Sequence, residues 1–270
     1  MNPLISIVTV CFNAVNNIEE TILSVISQSY ENIEYIIIDG GSTDGTVDII
    51  KKYESKIHYW ISEPDQGVYD AMNKGINRAT GKWINFMNAG DTFYYQNTLE
   101  LCANLLNKER NIDVLYGNTI LIYNNASYLA YPYRLNNLNN HMIFCHQSSL
   151  IKRELLENNL FNLEYKIAAD YNQIKTLYKQ GYKFHHINKP IAYYEAENGI
   201  SSTRIKEQEI EYAKINHGNK SKKYYYSYII IIIRHFIKKL TPKFFILKRK
   251  EKLLRKNPLL QKIQPLQNDK

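Results

Sequence analysis

Two aspartates bracket a glycine-containing turn that follows the apolar run 35–38. In Asp39-Gly-Gly-Ser-Thr-Asp44, the paired glycines let the backbone approach a ligand closely. No Gly-Lys-Ser/Thr follows, so the turn is not a phosphate-cradling P-loop, and it does not match the dinucleotide pattern G-x-G-x-x-G. Carboxylates here suit hydrogen bonding to ribose hydroxyls or base N–H groups. The alternative is a plain turn in which Asp44 caps the next helix.

Two further pairs of polar residues lie near predicted strand ends. Thr9 and Asn13 close the apolar run Leu4–Val10, and ligands of open α/β sheets bind beyond such strand ends. Capping of the following helix by Asn13 is the simpler interpretation. Asp70 and Lys74 stand four residues apart, on one face of a predicted helix. Lys74 could meet a diphosphate, whereas the bare spacing is typical of a surface ion pair.

An acid follows the apolar run Trp83–Met87 in the turn Asn88-Ala-Gly-Asp91. A carboxylate just past a buried strand can hold Mg²⁺ or Mn²⁺, which proteins bind through one or two carboxylates together with substrate phosphates. A single aspartate in a turn is also a common helix cap. The turn alone therefore leaves both interpretations open.

A last acid, Asp170, opens a helical stretch after the small pair Ala168-Ala169. It is either a helix cap or a carboxylate general base. A Ser/His/Asp hydrolase is a poor match, because the chain has no G-x-S-x-G elbow.

Short apolar strands alternate with amphipathic helices and would position these residues. This order predicts βαβ units and a mostly parallel sheet flanked by helices, and apolar runs without alternation predict strands buried on both faces. The predicted strands are Leu4–Val10, Tyr35–Ile38, Ile57–Ile61, Trp83–Met87, Val114–Tyr116, Thr119–Tyr123 and Lys183–His186. The predicted helices are 18–29, Val47–Tyr53, Asp70–Ala79, Thr98–Leu106, Lys152–Asn158 and Asp170–Lys179.

Length and composition limit the classes of protein to which the chain can belong. With 270 residues, 44% hydrophobic and 22% charged, the chain is neither wholly disordered nor a multi-span membrane protein. Its three cysteines lie far apart, which argues against a disulfide scaffold or zinc ribbon and favours a reducing compartment. The net charge of +8 is uneven: residues 220–256 hold thirteen Lys/Arg and one Asp/Glu, whereas residues 1–219 hold nineteen and twenty-four.

The basic segment also carries apolar residues. The uncharged run Tyr224–Ile233 is about half the ~20 residues needed to cross a bilayer. Aromatic, aliphatic and basic residues together favour a helix lying on an anionic membrane surface. The alternatives are a final helix packed on the body with a solvated basic end, or a nucleic-acid contact, which we expect least.

Taken in order, the motifs resemble family 2 inverting glycosyltransferases, closest to the bacterial enzymes of exopolysaccharide and lipopolysaccharide assembly. The match covers roughly residues 3–205. It rests on Ile5-Ser-Ile-Val-Thr-Val-Cys-Phe-Asn13, Asp39-Gly-Gly-Ser-Thr-Asp44-Gly-Thr, Glu63-Pro-Asp-Gln-Gly-Val-Tyr-Asp70-Ala-Met-Asn-Lys-Gly, Asn88-Ala-Gly-Asp91, His146-Gln147, Asp170-Tyr171 and Gly199-Ile-Ser201. The resemblance implies an α/β fold of the GT-A type, a nucleotide-diphosphate sugar donor and a divalent cation, Mn²⁺ or Mg²⁺.

The resemblance also implies roles for single residues. Thr9, Asn13, Asp39 and Asp44 would hold the nucleoside, Asp70 and Lys74 would lie beside the donor, Asp91 would bind the metal, and Asp170 would be the catalytic base. The chain departs from the family where Asn88 replaces the first acid of the metal-binding turn and Gly90 takes its third position. His146 matches a motif position without an assigned role.

We therefore expect a GT-A domain over 1–205, with a nucleotide-sugar half over about 1–95 and an acceptor half over about 96–205. A helical basic tail would follow over 206–270. The expected donor is a UDP-sugar and the acceptor a saccharide or lipid-linked saccharide. The location would be cytoplasmic, at the inner face of the membrane. A nucleotide-sugar pyrophosphorylase would need a glycine- and lysine-rich loop near the amino terminus, which the sequence lacks. A non-catalytic scaffold would not need Asp170.

Overall fold

Four parallel strands form the first half of the sheet. A computed structural model describes residues 2–123, 126–197 and 199–263. The first elements are β1 (Ile5–Cys11), α1 (Ile18–Ile26), β2 (Ile33–Asp39), α2 (Thr46–Lys52), β3 (Tyr59–Ser62), α3 (Val68–Arg78) and β4 (Trp83–Phe86). Strand β1 pairs in parallel with β2 and β4, and β2 with β3. The strands and helices predicted for this half are confirmed, and their loops meet at one edge.

The second half of the sheet is largely antiparallel. Its elements are β5 (Thr92–Phe93), α4 (Thr98–Lys108), β6 (Val114–Tyr123), β7 (Ala126–Ala130), β8 (Ser149–Lys152), α5 (Arg153–Glu157), α6 (Ala169–Lys179) and β9 (Phe184–Glu195). Strand β8 runs antiparallel to β4 and β6, and β7 antiparallel to β6, while β9 lies parallel to β6.

The predicted α/β fold is confirmed, but the complete sheet is mixed and not mostly parallel as the sequence pattern predicted. Only two residues separate β6 from β7, too few for the crossover that a parallel pair requires. The sequence pattern missed β8, and the strand predicted at 183–186 is the beginning of the twelve-residue β9. Short strands such as β8 have too few residues to show a clear hydrophobic period.

Two hydrophobic clusters cover the two faces of the sheet. Ile36 and Ile38 of β2 belong to the cluster that includes α3 and α6. Tyr35 and Ile37, which alternate with them, belong to the cluster that includes α1 and α4. All four side chains are buried, so β2 has no solvent-facing side, as its continuous apolar run predicts.

The chain ends in helices and one strand that returns to the sheet. These elements are α7 (Ile200–Thr203), α8 (Ile205–His217), α9 (Lys222–Leu240), α10 (Lys243–Lys256) and β10 (Leu260–Ile263). Strand β10 pairs antiparallel with β7 and extends the sheet at that edge. The helices of the predicted tail are present, and β10 is an addition. Residues 264–270 of that tail lie outside the described residues. The boundary at residue 205 remains a prediction.

Candidate active site

The Asp39 carboxylate organises the loop at the end of β2. One of its oxygens accepts hydrogen bonds from the backbone N–H of Gly41 (3.1 Å) and Ser42 (2.8 Å) and from Ser62 Oγ (2.6 Å). The other oxygen accepts from Ser42 Oγ (2.5 Å) and Cys11 Sγ (3.4 Å). Burial alone would raise the pKa of Asp39, but these hydrogen bonds outweigh it and hold the pKa below its usual value. Asp39 therefore shapes the loop as an anion whose acceptor sites are filled.

Asn13 and Asp44 join the loops that follow β1 and β2. The Asn13 side chain accepts from Thr43 N–H (3.0 Å), and Asp44 accepts from Val15 N–H (3.0 Å). Asn13 adopts a positive φ of 47°, which its short polar side chain tolerates. Thr9 does not share this position: it is fully buried in β1, with its hydroxyl 3.1 Å from Tyr35 Oη. The structure thus brings Asn13, Asp39 and Asp44 together and places Thr9 in the core beneath them.

The first turn of α3 lines a small cleft opposite residues 163–166. Asp70 accepts from Gln66 N–H (3.0 Å) and so stabilises the turn that starts the helix. Lys74 pairs with Glu63 at 2.7 Å rather than with Asp70. The start of a helix carries a partial positive charge that suits an anionic group such as a diphosphate.

Asp170 lies in the first turn of α6 and is held by two side chains from other elements. The single O–H of Tyr69 is shared between the Ile167 carbonyl (2.7 Å) and Asp170 Oδ1 (3.1 Å). His146 Nδ1 lies 3.4 Å from Asp170 Oδ2, and its Nε2 lies 3.1 Å from Asn88 Nδ2. A carboxylate can only accept, so the contact with Asp170 requires a proton on His146 Nδ1. The carboxylate remains 19% exposed, which keeps it accessible to a substrate.

Asp91 is turned into the protein. Its carboxylate accepts from Gln147 Nε2 (2.7 Å) and from Glu195 N–H (3.3 Å), and the residue is 5% exposed. Burial raises the pKa of Asp91 to about 7, although the Gln147 hydrogen bond acts in the opposite direction. Asp91 therefore connects the turn after β4 to the segment containing Gln147 and to the end of β9.

These residues do not fit a metal centre in this arrangement. Mg²⁺ and Mn²⁺ prefer several oxygen ligands, and both Asp91 oxygens are already hydrogen-bonded inside the protein. Asn88 is neutral and contacts His146. Among residues 2–123, 126–197 and 199–263, no group of three or more His, Cys, Asp or Glu is placed to hold a metal ion. The metal role of Asp91 stays a prediction, and no reaction step below uses a metal.

Solved structures share this fold. S. aureus TarS 1-349 in complex with UDP-GlcNAc aligns with a TM-score of 0.63 and 18% identity, over 86% of this chain and 72% of that chain. The mannosyltransferase PcManGT from Pyrobaculum calidifontis, in complex with GDP-Man and Mn²⁺, aligns with a TM-score of 0.62 and 18% identity, over 80% and 63%. The match covers 39% of a longer TarS chain. The fold is that of the GT-A glycosyltransferases.

The sequence comparisons give the family. The family model described as glycosyl transferase family 2 matches residues 6–160, more than half of the chain. The protein belongs to this family. A PGL/p-HBAD biosynthesis glycosyltransferase of Mycobacterium bovis is 29% identical over 208 residues, 75% of this chain and 81% of its own length. An uncharacterized glycosyltransferase of Mycobacterium tuberculosis is 37% identical over 116 residues, 43% and 44% of the two chains.

The side-chain contacts of several site residues could not be predicted from the sequence. Tyr69 and Gln147 stand inside quoted motifs, but only the structure shows that they bind Asp170 and Asp91. The contact between His146 and Asp170 joins residues 24 positions apart. Side-chain direction across such separations depends on packing, which a motif does not encode.

Replacing Asp91 tests its structural role. The folded-state pKa of about 7 lies above the usual 3.8, so the wild type should lose stability as the pH rises towards 7 and Asp91 ionises. Asp91→Asn cannot ionise, so this loss should disappear from its stability profile. Urea unfolding between pH 5.5 and 8, with a chelator present to remove divalent cations, measures the difference.

Asp113→Asn is the matched control. Lys152 and hydrogen bonds lower the pKa of Asp113 despite its partial burial, so its carboxylate is ionised throughout this pH range. The control should show a constant offset from the wild type. Equal pH slopes in the wild type and Asp91→Asn would contradict the structural role.

Proposed function

We propose that the chain is an inverting glycosyltransferase that moves a sugar from a nucleotide-diphosphate sugar to a hydroxyl of a saccharide acceptor. The observation that carries the proposal is the environment of Asp170: a partly exposed carboxylate at a helix start, oriented by Tyr69 and His146. The cleft at the first turn of α3 includes Tyr69 itself. The proposed base and the proposed donor subsite would therefore share one residue.

The reaction we propose is a single displacement. Asp170 accepts the proton of the acceptor hydroxyl while the hydroxyl oxygen forms a bond to the anomeric carbon. The bond from that carbon to the diphosphate oxygen breaks, and the nucleoside diphosphate leaves with the electron pair. Attack from the face opposite the leaving group inverts the anomeric centre. His146 and Tyr69 keep the carboxylate in one orientation, and positioned general bases typically contribute ~10²–10⁴-fold.

For the donor we propose a UDP-sugar. This proposal is supported by S. aureus TarS 1-349, which shares the fold and was solved in complex with UDP-GlcNAc. Asn13 and Asp44 would form the nucleoside side of the site, on the loop that Asp39 shapes, and Asp70 and Lys74 the sugar-diphosphate side. We propose that a divalent cation would enter the site bound to the donor diphosphate. Asp91 would have to leave Gln147 before it could join as a ligand.

A thermal-shift screen tests the donor class. A ligand at 100 times its Kd stabilises the folded state by about 2.7 kcal/mol, so a bound donor should raise Tm measurably. UDP-sugars should raise Tm more than GDP-sugars, and each is run with Mn²⁺ and with a chelator. Nucleoside triphosphates with sugar phosphates serve as the comparison, because a pyrophosphorylase would prefer them. A shift with triphosphates and none with nucleotide sugars would contradict the proposal.

Replacing the base tests the mechanism. Asp170→Asn keeps the shape of the side chain but cannot accept the proton, so release of nucleoside diphosphate should fall by at least ~10²-fold. Donor affinity, measured by calorimetry, should be nearly unchanged. Asp48→Asn makes the same chemical change at an exposed position of α2 and should keep full activity. Near-normal turnover in Asp170→Asn would contradict the assignment.

We also propose that the acceptor is lipid-linked, as in bacterial surface polysaccharide assembly, and that the protein works on the cytoplasmic face of an anionic membrane. Within the described parts of the chain, no helix is long and apolar enough to cross a bilayer. Helices α9 and α10 instead expose large apolar side chains next to basic ones. The exposed apolar residues include Tyr226, Ile229, Ile233, Phe236, Leu240, Phe244, Phe245 and Leu253. This combination suits a helix pair lying among anionic headgroups.

Two substitutions on α9 test the membrane surface. Phe236 and Leu240 are 63% and 71% exposed and one helical turn apart, so replacing both by Ser removes apolar area without opening the core. Binding to phosphatidylglycerol vesicles, measured by sedimentation, should weaken at least about tenfold. Leu23→Ser, on α1 and 44% exposed, is the matched control and should bind normally. Unchanged sedimentation of the double variant would overturn the proposal.

A further inference from the structure

Helix α8 carries a carboxylate that binds the chain just before Asp170. Glu211 Oε1 accepts from Lys166 N–H (2.7 Å), and Oε2 accepts from the N–H groups of Ile167 (3.0 Å) and Ala168 (2.8 Å). Three consecutive backbone donors thus converge on one side chain from a distant part of the chain. Hydrogen bonds to an ionised acceptor are stronger than neutral ones.

These three donors lie immediately before the helix that carries the proposed base, and the last of them is on its N-cap residue. Ala168 is the N-cap residue of α6, and its methyl side chain cannot cap the helix. The first N–H groups of a helix have no partner within it, and an uncapped start is free to fray. Glu211 fixes the residues immediately before this start, two positions from Asp170.

The same segment is held from its other side. The one O–H of Tyr69 is shared between the Ile167 carbonyl, at 2.7 Å, and Asp170 Oδ1, at 3.1 Å. Glu211 and Tyr69 therefore act on opposite groups of residue 167, one on its N–H and the other on its C=O. Of these two side chains, Tyr69 also contacts the Asp170 carboxylate and Glu211 does not.

We propose that Glu211 is a positioning residue for Asp170, acting through the backbone of residues 166–168. The inference rests on the proposed role of Asp170 as the base. Glu211 itself binds the backbone and does not touch the reacting atoms. It sets the position from which Asp170 reaches the acceptor hydroxyl, and a misplacement of ~1 Å can cost about 10²-fold in rate.

Helix α8 has other contacts that keep it docked when Glu211 is changed. Tyr212 packs on Tyr171 with ring centroids 4.5 Å apart, and Asn216 Oδ1 accepts from Tyr171 Oη at 2.6 Å. A variant at position 211 therefore loses the backbone contacts while the helix stays attached. This separates a positioning effect from loss of the fold.

The test compares Glu211→Ala and Glu211→Gln with Glu207→Gln, an exposed position on the same helix. Glu211→Ala should lower kcat by about 10–100-fold with an unchanged KM for the donor. Glu211→Gln should lose less, because its amide keeps one acceptor oxygen. Hydrogen exchange at the amides of residues 166–168 should become faster in Glu211→Ala, and faster to a smaller extent in Glu211→Gln, which loses one of the two acceptor oxygens. Glu207→Gln should match the wild type in both measurements.

A folded Glu211→Ala with wild-type kcat would overturn the inference. A rise in the KM for the donor that explains the whole loss of activity would also overturn it. If Glu211→Ala does not fold, Glu211→Gln decides the question by the same two readings. Asp170→Asn is assayed alongside. Near-normal activity in Asp170→Asn overturns the proposed function itself, whereas an inactive Asp170→Asn beside a fully active Glu211→Ala overturns only the positioning role.

Discussion

A carboxylate that stays charged inside a protein has to be stabilised by hydrogen bonds, and in this protein that requirement fixes the edge where the parallel strands end. Asp39 pairs in register with Cys11 of β1 and with Ser62 of β3. Both neighbours donate to its carboxylate, together with the backbone at Gly41 and Ser42. Because leaving a buried charge unpaired is costly, the ends of three strands must align around Asp39. The loops carrying Asn13 and Asp44 take their positions from this alignment.

Three aspartates of the motifs end up with three different properties because their surroundings differ. Asp39 is saturated with donors, which stabilise its charge and leave it poorly suited to accept a proton. Asp91 is buried with fewer donors, so burial dominates and raises its pKa to about 7. Asp170 keeps contact with the surface while Tyr69 and His146 orient it. Of the three, only Asp170 combines a fixed direction with access to a substrate, which is what a general base needs.

The family resemblance of the motifs grouped Asn13, Asp39 and Asp44. The order of strands and helices in the parallel half and the burial of both sheet faces could be predicted from the sequence, because hydrophobic runs encode them locally. The inward direction of Asp91 could not, since it depends on Gln147, 56 positions away. The burial of Thr9 likewise follows from its contact with Tyr35. Strand β10 is set by pairing with the edge of β7, and its four residues show no period of their own.

Helix α8 follows the predicted boundary at residue 205, yet it contacts the segment just before Asp170. A division of the chain into a body and a tail therefore does not describe the site fully. Glu209 and Glu211 are two positions apart, and residues with this spacing point to different sides of a helix. Glu209 pairs with Arg234 and lies 3.6 Å from His235 Nδ1, both on α9, whereas Glu211 binds the backbone before Asp170. One helix therefore lies between the exposed apolar surface of α9 and the start of α6. A rotation of α8 would disturb both sets of contacts, so the position of Asp170 and the placement of α9 constrain each other.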